Sequence, residues 1–331
     1  MTATLKALFW SSRPLSWINT AFPFAAAYVL TAASTPSPDA DAGGAYVSQS
    51  VADAVADGSA AVVVLTGPAP AFDFSQVDWL VAVVGILFFL VPYNLAMYGI
   101  NDVFDYESDL RNPRKGGVEG ALLDRSMHRT TLWAAVLTCV PFVLFLVAVG
   151  SPLSWLVLAV SLFAVVAYSA KGLRFKERPF VDSVTSSTHF VSPAVYGLVL
   201  AGATFTPALW ALLGAFFLWG AASHAFGAVQ DVIADREGGI ASIATVIGAR
   251  TTVRLAVVAY LLAGILLTFT DAPGPFAAII PVAYALNCAP WWNITDAEAE
   301  GANKGWKRFL WLNFVSGFVA TMLMIGWVAL A

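Results

Sequence analysis

The chain has 331 residues, of which 59% are hydrophobic and only 11% charged. Soluble globular proteins carry about 25% charged residues, so the composition excludes an ordinary water-soluble domain and points to an all-α protein that crosses a membrane many times. The net charge of −4 says little by itself, no nucleic-acid partner is expected, and Cys139 and Cys288, both inside apolar runs, read as small buried hydrophobes rather than a disulfide or metal site.

Nine apolar runs follow one another, at about 15–33, 77–99, 129–149, 152–170, 184–202, 208–226, 252–270, 274–292 and 309–330. Each has about the 20 residues that a helix needs to cross the hydrocarbon core. The first is read as a retained span rather than a cleaved signal peptide. Gly150-Ser151 makes a tight hairpin between the third and fourth, and Asp271-Ala272-Pro273-Gly274-Pro275 turns the chain between the seventh and eighth.

The basic residues orient this map. Lys6 and Arg13 precede the first span, and Arg111, Arg114, Lys115, Arg125 and Arg129 follow the second. Lys171, Arg174, Lys176 and Arg178 follow the fourth, Arg236, Arg250 and Arg254 the sixth, and Lys304, Lys307 and Arg308 the eighth. All 17 then fall on the side of the N terminus. The positive-inside rule predicts nine spans in the cell membrane, with a cytoplasmic N terminus and an external C terminus. An error of one span would scatter the charges. Residues 34–76 form the longest external segment, without Lys or Arg. They are expected to be a flexible extracytoplasmic insertion in a single domain covering 1–331.

Asn101-Asp102-Val103-Phe104-Asp105-Tyr106-Glu107-Ser108-Asp109 closes the second run. On a helix, the spacing i, i+3, i+7 puts Asp102, Asp105 and Asp109 on one face. A single Asp at a helix end is usually a solvated charge. Three together repel one another unless something positive sits between them. Mg2+ suits that place, because it takes oxygen ligands and is commonly shared between carboxylates and substrate phosphates. Asp231 and Asp235, at i, i+4, end the sixth run in the same way. The two motifs are expected to form one metal–diphosphate site at the cytoplasmic face, built from two halves of a bundle, and their matched placement hints at an internal duplication.

Basic and polar residues complete the candidate site. The loop 111–120 reads either as ordinary topological charge or as a lid whose Arg111, Arg114 and Lys115 clamp a diphosphate. Tyr168, Lys171, Arg174 and Lys176 would face the acidic motifs across the mouth, although Lys176 and Arg178 read equally well as snorkelling anchors. Arg236 adjoins the second motif and is expected to reach phosphate. Asp182 is either a partner for these cations or a further polar group of the site. Asn94 lies two helical turns before Asn101 and, with Tyr98, is a candidate for the acceptor pocket. His189 and His224 are polar groups inside apolar runs. They are candidate proton acceptors or satisfied structural histidines.

With these residues in place, the sequence resembles the UbiA superfamily of intramembrane prenyltransferases. Its members are similar in their nine spans, an N-D-x-x-D-x-x-x-D motif after the second, a Tyr-Ser and basic cluster after the fourth and a D-x-x-x-D motif after the sixth. Several stretches look like bacterial lycopene elongases: 11–20, 92–100 and 111–120, then 175–180, 185–190, 242–250 and 292–296. The resemblance implies Mg2+ on Asp102, Asp105, Asp109, Asp231 and Asp235, with Asn101 beside them. It implies transfer of dimethylallyl units from dimethylallyl diphosphate to both ends of lycopene, in the biosynthesis of fifty-carbon carotenoids, alongside other membrane enzymes of that pathway.

Such a reaction builds charge on the leaving diphosphate and leaves an allylic cation. The terminal double bond of the acceptor attacks, and loss of a proton or capture of water ends the sequence. Cations need a dry pocket with π-faces, for which Tyr98, Phe104, Tyr168, Trp210, Phe216, Phe217 and Trp219 are available. Lycopene, a water-insoluble rod, is expected to enter sideways from the lipid and the diphosphate from the cytoplasm. Three other readings stay open. One is a related transferase acting on a quinone precursor, haem or another acceptor. Another is an ion-coupled transporter, which would place acids nearer the bilayer midplane. The last is a non-catalytic partner subunit, against which the intact acidic motifs argue.

Overall fold

The computed structural model of the chain describes residues 2–35, 71–110 and 123–330. Among these residues, each of the nine apolar runs is helical at its centre. The helices are α1 (Ala3–Ser11), α2 (Ile18–Ala33), α3 (Trp79–Leu90), α4 (Pro92–Phe104), α5 (Tyr106–Asp109), α6 (Arg125–Val149) and α7 (Pro152–Ser169). They continue with α8 (Val181–Leu200), α9 (Pro207–Val229), α10 (Val232–Glu237), α11 (Ile243–Ile247), α12 (Ala249–Leu267), α13 (Ile279–Cys288) and α14 (Asn303–Leu330). Six helical segments are long and apolar enough to cross a membrane: 79–104, 125–149, 152–169, 207–229, 249–267 and 296–329. Helices α2 and α13 are shorter, at 16 and 10 residues.

Helix α8 has 20 residues but a polar sequence, and its Asp182, Ser183, Thr185, Ser187, His189 and Ser192 are all buried. The reason is its position. It packs against α2, α7 and α9 at the centre of the bundle, so its polar groups face protein rather than lipid. On one side of it lies a core that includes Phe24, Phe88, Phe89, Tyr93 and Tyr196; on the other lies a core around Phe226, Tyr260, Tyr284 and Phe309. The outside is apolar as well: Leu137, Leu144, Leu156, Phe163, Leu286, Trp311 and Phe318 are exposed. In water such a surface would aggregate, whereas in a bilayer it meets acyl chains.

The second apolar run is not one helix. It breaks at Val91, because Pro92 has no N–H to continue the ladder. The Phe89 carbonyl at the break accepts from Thr20 Oγ1 and from Asn94 Nδ2, both at 2.7 Å, and Asn94 Nδ2 also donates to Thr20 Oγ1 at 2.7 Å. A freed carbonyl inside a membrane needs such partners. Asn94 therefore braces the break.

Of the segment 34–76, the two ends are described. Ser34–Thr35 pairs antiparallel with Ala71–Phe72, a one-turn 3-10 helix follows at Phe74–Gln76, and Asp78 caps α3 by accepting from the Leu80 and Val81 amides. Residues 36–70 lie outside the described residues.

Close approach of α2 and α8 requires Gly197: a Cβ there would stand 2.8 Å from the Phe24 carbonyl oxygen and 3.0 Å from the Tyr28 nitrogen. Backbone cannot swing aside as a side chain can. Gly197→Val should therefore cost about 1–3 kcal/mol or more, seen as a lower midpoint of thermal unfolding in detergent. Gly317→Ala, where nothing lies within 4 Å, should leave the midpoint unchanged.

Candidate active site

The first acidic motif does not lie on one continuous helix. Helix α4 ends at Phe104, Asp105 takes φ −98°, ψ −1°, and the short α5 restarts at Tyr106. The second motif breaks in the same manner: α9 ends at Val229, Asp231 takes φ −99°, ψ −2°, and α10 restarts at Val232. Asp105-x-x-x-Asp109 and Asp231-x-x-x-Asp235 are thus the same local structure written twice, which supports the duplication suggested by their placement.

The carboxylates of the first motif are buried, with Asp102 1% and Asp105 7% exposed. Burying a carboxylate costs several kcal/mol unless it is paired. Arg13 Nη2 donates to Asp102 Oδ1 at 2.6 Å, from a residue 89 positions away in the chain. Its guanidinium also lies over the Tyr98 ring, 5.4 Å from the centroid. Asp105 is paired with Lys176 and, at 3.7 Å, with Arg174, which in turn pairs with Glu177. Burial pushes the Lys176 ammonium down to about 8, against the upward pull of Glu177, Asp235 and Asp102. Lys176 is therefore no snorkelling anchor: charges from both acidic motifs converge on it. Asn101 Nδ2 donates to the buried Ser169 Oγ at 2.9 Å, tying the first motif to the end of α7.

Both arginines of this cluster hold left-handed backbone conformations, with φ 52° at Arg13 and 40° at Arg174. A non-glycine residue in that region stores about 1–3 kcal/mol of strain, so the fold keeps these guanidinium groups in place at a cost.

A cavity of about 230 Å3 opens beside the motif. Arg13, Tyr98, Asn101 and Tyr168 line its polar end, and Met97, Ser186, His189 and Phe190 the remainder. Of the aromatic residues expected near the reaction, Tyr98 and Tyr168 are there. Phe104 and Trp210 are exposed, Phe216 and Phe217 pack around Leu213, and Trp219 stacks with Phe309.

The two histidines differ. His224 shares Nε2 with the Tyr168 hydroxyl at 3.0 Å and Nδ1 with the Ser183 hydroxyl at 3.1 Å, so both nitrogens are engaged and it acts as a brace. His189 lies on the cavity wall. The guanidinium of Arg236 donates to Asp296 Oδ2 at 2.6 Å and to the Thr245 carbonyl, fastening the loop after α10. Asp182 accepts from the amides of Ser183 and Ile243, both at 2.7 Å, and so pins α11 to α8. Lys171 is exposed at the turn after α7, and Asp231 and Asp235 are half-buried. Asp109 closes α5, with its side chain outside the described residues, as are Arg111, Arg114 and Lys115. Arg13 was not singled out by the sequence reading, because a lone basic residue ahead of a first span reads as topological charge.

Among the described residues, no three His, Cys, Asp or Glu side chains form a ready metal cluster. The donor chemistry nonetheless fits a hard divalent cation: the two motifs offer carboxylate oxygens and no thiol or imidazole, at a mouth where both act on one ammonium.

A profile of the UbiA prenyltransferase family matches residues 60–313. The chain belongs to this family. It is a prenyltransferase. This UbiA-family enzyme is 49% identical over 325 residues to the lycopene elongase/hydratase of Corynebacterium glutamicum, covering 98% of each chain. It is 52% identical over 325 residues to the C(50) beta-cyclic carotenoids biosynthesis protein LbtBC of Dietzia sp., covering 97% of this chain and 65% of that longer protein. The solved structure of a UbiA homolog from Archaeoglobus fulgidus bound to DMAPP and Mg2+ matches with a TM-score of 0.58 at 17% identity, over 95% of this chain and 99% of that one. At that identity the likeness speaks for the fold. The related structure bound to GPP and Mg2+ has the same TM-score, 0.58.

The pairing of Arg13 with Asp102 makes a measurable prediction. Arg13→Met should lower thermal stability in the wild type far more than in an Asp102→Asn background. A double-mutant cycle in detergent should give a coupling of about 0.5–3 kcal/mol.

Proposed function

We propose that this enzyme transfers dimethylallyl units from dimethylallyl diphosphate to the two ends of lycopene, with Mg2+ as cofactor. The observation that carries the reading is the 49% identity to a lycopene elongase/hydratase across 98% of both chains. We also infer nine crossings of the cell membrane in a single domain, with a cytoplasmic N terminus, residues 34–76 outside and the active site at the cytoplasmic face. The distribution of all 17 basic residues supports this topology.

Asp102, Asp105, Asp109, Asp231 and Asp235 would hold the metal. When bound, Mg2+ supplies charge to neutralise the diphosphate as its carbon–oxygen bond breaks. Tyr168, Lys171, Arg174 and Lys176 hold the diphosphate from the α7–α8 side, joined by Arg111, Arg114 and Lys115. Arg13, which sequence reasoning passed over, joins this set. The cations that pair with Asp102 and Asp105 are those a diphosphate recruits, so substrate binding exchanges one set of ion pairs for another without leaving charge uncompensated.

The cavity beside Asn101 accommodates the allylic group. At about 230 Å3 it suits a five-carbon unit and is too small for a long polyene. The body of lycopene therefore lies outside it, along lipid-facing helices, with only its terminal double bond inserted. Tyr98 and Tyr168 present π-faces to the cation and exclude water from it.

The test is expression in bacteria that accumulate lycopene, with pigments analysed by chromatography and mass spectrometry. Products heavier by one and then two five-carbon units are expected. Unchanged lycopene, with the protein confirmed in the membrane, would reject the acceptor. Asp102→Ala and Asp235→Ala should each lower turnover by about 100-fold or more while membrane insertion persists, and chelation of Mg2+ should stop the wild type.

A further inference from the structure

Prenyl transfer to an alkene leaves a tertiary carbocation that something must quench. His189 stands on the cavity wall, 3% exposed. Its Nε2 is buried and has no hydrogen-bond partner among the described residues. In the tautomer protonated at Nδ1, that Nε2 carries an unshared lone pair. The Tyr168 ring meets the imidazole edge-on, at 5.2 Å between centroids and 77° between planes, and limits its rotation. Behind it, Tyr93 Oη donates to the His189 carbonyl at 3.4 Å and accepts from Ser161 Oγ at 3.1 Å.

No other described group on that wall is comparable. The Tyr168 hydroxyl is held by His224, Tyr98 is a phenol, Arg13 is a cation and Asn101 a neutral amide. Ser186 lies three residues before His189 on α8, on the same face, and lines the same cavity. A hydroxyl beside an imidazole lone pair, in a cavity with polar partners, is a place for one water.

We propose that His189 takes the proton of a water that captures the carbocation, and so decides between a hydroxylated and an olefinic product. This rests on the prenyl-transfer reading above. The allylic carbon–oxygen bond breaks and its electron pair leaves with the diphosphate. The π pair of the acceptor's terminal double bond forms the new carbon–carbon bond and leaves a tertiary cation. A lone pair of water forms the carbon–oxygen bond, and the water proton moves to Nε2, giving an imidazolium that later returns it to the released diphosphate or to bulk water. No oxidant or reductant enters. Without His189, the cation instead loses a proton from a neighbouring carbon to the released diphosphate, the C–H electron pair becomes the new double bond, and the product is an olefin.

The experiment uses membranes containing the full-length enzyme, lycopene, dimethylallyl diphosphate and Mg2+ in oxygen-labelled water, with products read by mass spectrometry. The wild type should place one labelled oxygen on each elongated end. His189→Phe, which keeps a ring, should lower the ratio of hydroxylated to olefinic product by about 100-fold, and Ser186→Ala should lower it by a smaller factor. His189→Gln retains a polar amide but offers no basic nitrogen. It should behave like His189→Phe and serves in its place if the latter is not recovered in the membrane. A wild type that adds no five-carbon unit would overturn the acceptor assignment and this proposal together. Elongated product without labelled oxygen, or an unchanged product ratio in the His189 variants, would overturn this proposal alone.

Discussion

Two buried carboxylates at the end of one membrane helix set the terms for much of this structure. Asp102 and Asp105 are nearly without solvent, and ionised groups in that position need cations supplied by the protein. Arg13 comes from the segment before the first span, and Lys176 and Arg174 from the connection between α7 and α8. Three distant pieces of chain therefore converge on one mouth. The strained backbone at Arg13 and Arg174 lies in the same cluster, as expected where the surrounding fold overrides local preference for the sake of a site.

The bundle around that mouth is built of two apolar cores with α8 between them. A helix rich in Ser, Thr and His would be poorly placed against lipid. Buried against α2, α7 and α9, it finds partners instead: Ser187 Oγ donates to the Phe217 carbonyl at 2.7 Å, and Ser161 and Ser192 share a hydrogen bond of 2.7 Å. The same helix carries Asp182 at its N-terminal end and His189 on the cavity wall. One polar element thus joins the cores, anchors α11 and lines the cavity. The break at Asp105 and at Asp231 interrupts the helix within each acidic motif in the same way.

This arrangement separates two kinds of chemistry by depth. Charged groups gather at one end, where a diphosphate and a hard cation are compatible with water. The cavity beside them is lined by Arg13 and Asn101 as well as by aromatic rings and a single imidazole. The apolar exterior offers a long hydrocarbon its approach without any crossing of the polar mouth.

The helices, their order and the acidic motifs were legible in the sequence, because apolar length and carboxylate spacing are properties of short stretches. The partners of individual polar side chains were not. Asn94 was read as facing a pocket and braces a helix break; Arg236 was read as a phosphate ligand and fastens a loop; Arg13 went unremarked and pairs with Asp102. Each of these side chains has the right chemistry for several tasks, and its partner can lie as far as 89 residues away. Local sequence therefore determined what each group is able to do. Which task it performs was decided by packing, since a buried polar atom bonds to whatever the folded bundle brings within about 3 Å of it.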